Sequence, residues 1–192
     1  MKKARKVIVE IAISADGYIA RPDGDVSWLD RPAPKGHYGM GAFIKSIDTI
    51  LWGRKTYAKG IELGMKDGGF GPKIKNYLFS RQEQKSLLPG FELVRNPIQS
   101  FMQRLRAKPG KHIWMMGGGE IVASFLDEGE IDEFNIKVIP IFIGEGIPMI
   151  KPRHRSVSLK LLSTKKFSDG VVQLHYRVLK QSPSAKSPNK PS

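Results

Sequence analysis

The sequence contains no cysteine in 192 residues. That excludes a disulfide framework, a thiolate nucleophile and a cysteine-ligated zinc. Histidine is nearly as scarce: His37, His112, His154 and His175 are the whole set, and no two stand at a close metal-ligand spacing. No run approaches the ~18–20 consecutive apolar residues of a bilayer span. The basic start Met1-Lys2-Lys3-Ala4-Arg5-Lys6 runs straight into Val7-Ile8-Val9-Glu10, too short and too polar for a secretory leader, so a cytoplasmic protein is expected. Acidic residues are outnumbered, 18 against 32 Lys+Arg, for a formal net charge of +14. An excess of this size favours an anionic partner. A nucleic acid and a phosphate-rich dinucleotide both fit, and the even spread of the cations along the chain does not choose between them.

What is present is an alternation of short elements. Residues 6–13 form a β-branched run closed by Ser14-Ala15-Asp16-Gly17, which reads as a buried strand ending in a turn. Segment 21–41 is rich in Pro, Gly and Asp, with Trp28-Leu29 as its strong apolar anchor, and loops of this length are usually functional or mobile. Residues 42–47 read as the end of a helix and 49–53 as a strand, after which Arg54-Lys55-Thr56-Tyr57 opens a short helix. Strands follow at 76–80 and 91–94. A helix over 98–107 carries Ile98, Phe101, Met102 and Leu105 at helical spacing. Next come a strand at 112–116 and a helix over 120–127, with Ile121, Val122, Phe125 and Leu126 on one face. This order predicts a mainly parallel sheet covered on both sides. A strand at 133–140, a Gly/Pro loop at 141–151 and a hairpin of 158–167 with 171–179 add an antiparallel carboxyl-terminal edge. One domain over 1–180 is expected. The basic tail at 181–192, with its Ser-Pro and Lys-Pro elements and no apolar periodicity, is expected to be disordered.

Three strand ends offer chemistry for phosphate. Gly117-Gly118-Gly119 joins a strand to a helix, where backbone amides can approach a pyrophosphate and the helix dipole stabilises its charge. A plain tight turn with no ligand explains the glycines about as well. Gly53-Arg54-Lys55-Thr56 repeats the logic, with two cations misplaced at a helix start unless an anion offsets them; a solvated surface pair is the ordinary alternative. Ser80-Arg81 ends another strand, and a guanidinium with a hydroxyl suits the extra 2′-phosphate of NADPH. Open α/β sheets place ligands at the carboxyl ends of their strands, so the three together weigh more than any one.

Two carboxylates are candidates for handling a proton. Asp16 sits in an Asp-Gly turn, where a structural role is the more common one. Asp30 follows Trp28 in the long loop; Trp28 could wall a substrate and Asp30 could protonate or recognise it, or Trp28 could pin the loop and Asp30 cap the next element.

Taken in order, S-A-D-G-Y-I-A, P-D-G-x-x-x-W-L, L-W-G-R-K-T-Y, L-F-S-R, M-M-G-G-G-E-I-V-A-S-F-L and P-I-F-I-G-E-G-I-P-M resemble the carboxyl-terminal reductase domain family of bacterial riboflavin biosynthesis. The resemblance runs over residues 6–179. It implies a three-layer α/β fold of dihydrofolate-reductase type, with a mixed, mainly parallel sheet flanked by helices and a carboxyl-terminal antiparallel hairpin. It also implies NADPH as cofactor, with the nicotinamide near Ala15 and the adenosine-side phosphates on Gly53, Arg54, Lys55, Thr56, Ser80 and Arg81. The pyrophosphate would lie against Gly117, Gly118, Gly119, Glu120 and Ile121. Family enzymes usually carry an amino-terminal zinc deaminase domain, for which this sequence has no cysteines. The expected activity is hydride transfer to a C=N or C=O bond of a small heterocyclic or ribosyl-pyrimidine-like substrate, by a homodimeric protein. The competing expectation is a polyanion or nucleic-acid binder on a catalytically idle reductase scaffold.

Overall fold

The structure, a computed structural model, describes residues 5–84 and 86–179. The tail expected at 181–192 lies outside the described residues. β1 (Val7–Ser14) is a nearly continuous apolar run because both of its faces are covered. A tight turn leads to the three-residue β2 (Tyr18–Ala20). The long segment beyond makes two short 3-10 turns, Ser27–Leu29 and His37–Gly39, and then enters α1 (Met40–Ser46). β3 (Ile47–Gly53) passes directly into α2 (Arg54–Glu62). β4 (Lys75–Phe79) and β5 (Phe91–Val94) follow, then α3 (Ile98–Ala107). β6 (His112–Gly117) and α4 (Gly119–Asp127) are joined through Gly118. β7 (Glu133–Ile139), the two-residue β8 (Ile147–Pro148) and the hairpin of β9 (Leu159–Lys166) and β10 (Val172–Val178) complete the chain.

Eight strands form one sheet in the order β5-β4-β3-β6-β1-β7-β10-β9. The first six run parallel, and β10 pairs antiparallel with both β7 and β9. Side chains alternate across the sheet and fill two cores. Val7, Val9, Leu51, Ile113, Met115 and Phe134 meet α3 and α4 through Met102, Leu105, Val122 and Phe125. On the other face Ile50, Trp52, Leu78 and Trp114 meet α1 and α2 through Phe43 and Tyr57. These are the three layers anticipated from the alternation.

The element order fixes where a ligand can enter. From β1 the chain moves outward through β3, β4 and β5, returns as β6 beside β1, and crosses to β7 on the far side of β1. Connections that diverge from adjacent strands leave a crevice at their carboxyl ends. The small sheet of β2 and β8, with Tyr18 opposite Pro148 and Ala20 opposite Ile147, lies at this end of the molecule. It has no counterpart in the sequence pattern, since two or three residues are too few to display a period.

Candidate functional site

At the carboxyl end of β3 the chain turns through Gly53, and at the end of β6 through Gly117, whose peptide to Gly118 is cis. The two turns touch. A Cβ added to Gly53 would lie 3.0 Å from the Gly117 carbonyl oxygen and 3.0 Å from Ile121 Cγ2, so only glycine permits this approach. A Cβ on Gly118 would lie 3.3 Å from Thr56 Oγ1, which sets Gly118 in the gap between the starts of α2 and α4. Neither helix has a side-chain cap at its amino terminus, so the N–H groups of both first turns are left for other acceptors. Gly119 differs: a Cβ there would lie 2.4 Å from the Pro148 carbonyl oxygen, and its own carbonyl accepts from Lys151 N–H at 3.0 Å. Its smallness serves the protein's own packing.

The cations gather around this gap. Arg54, Lys55 and Arg81 are exposed, and Lys55 and Arg81 both lie close enough to Glu120 to help hold its carboxyl below the usual range. The hydrogen bond from Lys151 to Glu120, 3.3 Å long, is the main cause of that depression. Glu120 therefore faces Lys151, and its position in the first turn of α4 suits the helix dipole. Ser80 is buried and engaged within its own turn, donating to the Gln82 carbonyl oxygen at 2.9 Å and accepting from Gln82 N–H at 3.1 Å. Its hydroxyl shapes the turn that presents Arg81.

The turn after β1 is clamped to the loop that follows β7. Ala15 N–H donates to the Ile141 carbonyl oxygen at 2.8 Å. The Asp16 carboxylate accepts from Ser14 Oγ at 2.5 Å, from Gly144 N–H at 2.8 Å and from Ile143 N–H at 3.1 Å. The Ser14 hydroxyl, joined by these amides, lowers the Asp16 pKa from its ordinary value. Asp16 thus anchors the 141–144 loop. Asp30 is exposed, with no hydrogen-bond partner for its carboxylate among the described residues. Trp28 is half-buried, and its indole N–H is enclosed without an acceptor among those residues.

A cavity of about 320 Å³ opens beside this edge, lined by none of the cofactor-binding, substrate-binding or catalytic residues expected from the sequence. Its floor is Glu10, Ile11 and Ala12 of β1, Trp114 of β6, and Lys137 and Ile139 of β7; its wall includes Leu29, Arg31, Tyr38 and Met40 of the long loop. Leu29 and Arg31 thus face the cavity on either side of an exposed Asp30. Ile11 joins the two regions, since its Cδ1 lies 3.9 Å from where a Gly117 Cβ would stand. Glu10 and Lys137 form a buried ion pair, with side-chain exposures of 3% and 7%. Burial pushes the Lys137 ammonium down to about 8. The sequence carried a signal for one of them: Glu10 is the single acid in the apolar run of β1, a charge where a doubly covered strand has no solvent face. Lys137 shares β7 with Glu133 and Asn135 and does not stand out.

Comparison with known proteins agrees with this architecture. The uncharacterized protein YwjB of Bacillus subtilis (strain 168) is 35% identical over 173 residues, which cover 90% of this chain and 97% of that protein. The crystal structure of a putative riboflavin biosynthesis protein from Shewanella sp. PV-4 superimposes with a TM-score of 0.81 at 26% identity, covering 91% of this chain and 99% of that one. Dihydrofolate reductase from Enterococcus faecalis, complexed with NADP(H) and RAB-propyl, shares the fold with a TM-score of 0.64 at 13% identity, covering 91% and 97%. The model of the RibD C-terminal domain matches residues 74–173, and this chain belongs to the RibD C-terminal domain family, built on a dihydrofolate-reductase-like α/β fold.

Proposed function

We propose that the chain is an NADPH-dependent reductase that transfers hydride to a C=N or C=O bond of a small heterocyclic or ribosyl-pyrimidine-like substrate. One observation carries the proposal. The Gly53–Thr56 turn, the Ser80-Arg81 turn and the Gly117–Gly119 turn converge at one end of one sheet. The uncapped starts of α2 and α4 flank the Gly118 gap and suit the oxygens of a diphosphate. Arg54, Lys55 and Arg81 supply the cations that a third phosphate requires. The NADP(H) named with the Enterococcus enzyme of the same fold supports a nicotinamide nucleotide as the cofactor.

Such a cofactor brings the hydride with it. The chain's part is to hold the nucleotide, keep the reacting carbon near the β1 end, and exclude water. The turn at Ala15, fixed by the Asp16 anchor, borders the nicotinamide position, and Trp28 walls the substrate side. Asp30 and Asp16 stand as carboxylates near the loop and the strand end, Asp16 acting through the 141–144 loop.

The test is a fluorescence titration of the protein with NADPH and with NADH, read on Trp28 and Trp114. NADPH is expected to bind more tightly. Arg81→Ala is expected to weaken NADPH by roughly 10–100-fold, the worth of a charge-assisted hydrogen bond, while leaving NADH nearly unchanged. Equal affinities for both nucleotides in the parent protein would refute the choice of NADPH. Growth of a riboflavin auxotroph on this chain would identify the ribosyl-pyrimidine substrate specifically.

A further inference from the structure

The Glu10–Lys137 pair needs a reason. Replacing a buried ion pair by apolar side chains of similar volume is often neutral or stabilising, and β1 and β7 are otherwise apolar where they meet the cavity. The strand register sets Glu10 opposite Asn135 and Ala12 opposite Lys137. One carboxylate oxygen of Glu10 accepts from Lys137 Nζ and the other from Asn135 Nδ2. Trp114 Nε1 donates to the Glu10 carbonyl oxygen at 3.1 Å, closing the β6 side. An ammonium has three N–H bonds. Glu10 takes one, Met40 Sδ at 3.5 Å is a weak acceptor for the second, and the third has no acceptor among the described residues. Asn135 Oδ1 is likewise buried without a donor. A cavity bordered by a spare donor on a buried lysine is a built site for a hydrogen-bond acceptor.

We propose that Lys137, positioned by Glu10, is the proton donor of the reductase: its ammonium binds the heteroatom X of the substrate's C=X bond and gives it a proton as the carbon receives hydride. This rests on the reductase reading above. The new C–H bond takes both electrons of a reduced nicotinamide C–H bond, and the π pair moves onto X. The Lys137 Nζ–H bond breaks, its proton joins X, and the resulting neutral amine is reprotonated from solvent. The nicotinamide ends oxidised and the C=X bond reduced. The lowered Lys137 value puts the ammonium within reach of transfer near neutral pH, and the Glu10 carboxylate keeps the proton in place until X arrives. The other groups facing this ammonium are few. Arg31 and Tyr38 line the same cavity from the loop, and both are engaged by Asp169. Neutral Gln173 stands opposite on β10, and beyond it His175 pairs with Glu133, which also binds Lys6.

The whole protein, labelled with 15N-lysine, tests this by NMR of the lysine ζ-nitrogens. The probe is 2-pyrrolidinone, whose carbonyl accepts hydrogen bonds without reacting with amines. A lysine signal with a midpoint near 8 is expected. It should vanish in the Glu10→Leu/Lys137→Met double variant, which leaves no lone buried charge, and it should move on addition of the probe. If the double variant does not fold, Glu10→Gln identifies the same signal by a lowered midpoint, since the carboxylate that favours the charged form is gone. With any substrate the chain reduces, the double variant is expected to lose about 10²-fold or more in kcat with NADPH affinity unchanged. A Lys137 signal that the probe leaves unmoved, in a protein that binds NADPH, overturns the proton-donor proposal alone. Failure to bind NADPH overturns the reductase reading beneath it.

Discussion

Two neighbouring glycines separate what packing demands from what a ligand would demand. A methyl on Gly119 would press on the backbone oxygens of Pro148 and Met149, at 2.4 and 3.2 Å, which the clamped loop cannot easily withdraw. Gly119→Ala is therefore expected to cost about 1–3 kcal/mol, seen as a lower urea midpoint. A methyl on Gly118 would meet only Thr56 Oγ1 at 3.3 Å and Ile19 Cδ1 at 3.6 Å. Gly118→Ala should leave the urea midpoint nearly unchanged and weaken NADPH binding, as measured in the same fluorescence titration. In the sequence these glycines look alike, because a triplet between strand and helix does not say which member touches protein. A similar limit hid the pairing of Glu10 with Lys137. A charge within a strand ordinarily marks a solvent-facing position, and only the pairing of β1 with β7 shows that these two face each other under cover.

At the level of elements, the long loop owes its place to one contact with the β9–β10 turn. Asp169 accepts from Tyr38 Oη at 2.5 Å, and Arg31 donates to the Asp169 carbonyl oxygen at 2.8 Å. Tyr38 also packs edge-on against Phe167. The Tyr38 hydroxyl is the main cause that lowers the Asp169 pKa from its ordinary 3.8. A value lower in the folded state means that this latch is fully effective above the ordinary carboxylate value and is lost as the pH falls through the depressed one. Amide protection across 31–40 is expected to hold down to the ordinary carboxylate value of 3.8 and to drop as the pH falls further below it, ahead of protection in β1, and Asp169→Asn should abolish that step. Hydrogen exchange followed by mass spectrometry reads both. The helices α3 and α4 were legible because their apolar residues recur at helical spacing over ten and nine residues. The latch was not, since Tyr38 and Asp169 are 131 residues apart and turn residues carry no period.

Across the whole molecule the formal charge of +14 acts on approach more than on final fit. Attraction between unlike charges raises association rates and is screened by salt. Stopped-flow association with NADPH is expected to slow markedly as ionic strength rises, with dissociation changing far less. Duplex DNA binding with a steep salt dependence, in a protein that ignores NADPH, would instead favour the polyanion-binding reading. The layered α/β architecture was readable because alternating strands and helices admit few arrangements. The order of the strands, which brings β6 beside β1 and so creates the crevice, was not, because the pairing partners lie about a hundred residues apart in the chain, as with Val7 and Ile113.

The meeting of Gly53 with Gly117 and Ile121 makes two of the three strand-end turns a single joint, in which neither partner can change shape alone. The Ser80-Arg81 turn closes on itself through Gln82 and shares no such joint among the described residues. Discrimination between nucleotides could then be swapped by grafting that short turn, while the docking joint passes unaltered from one variant to the next.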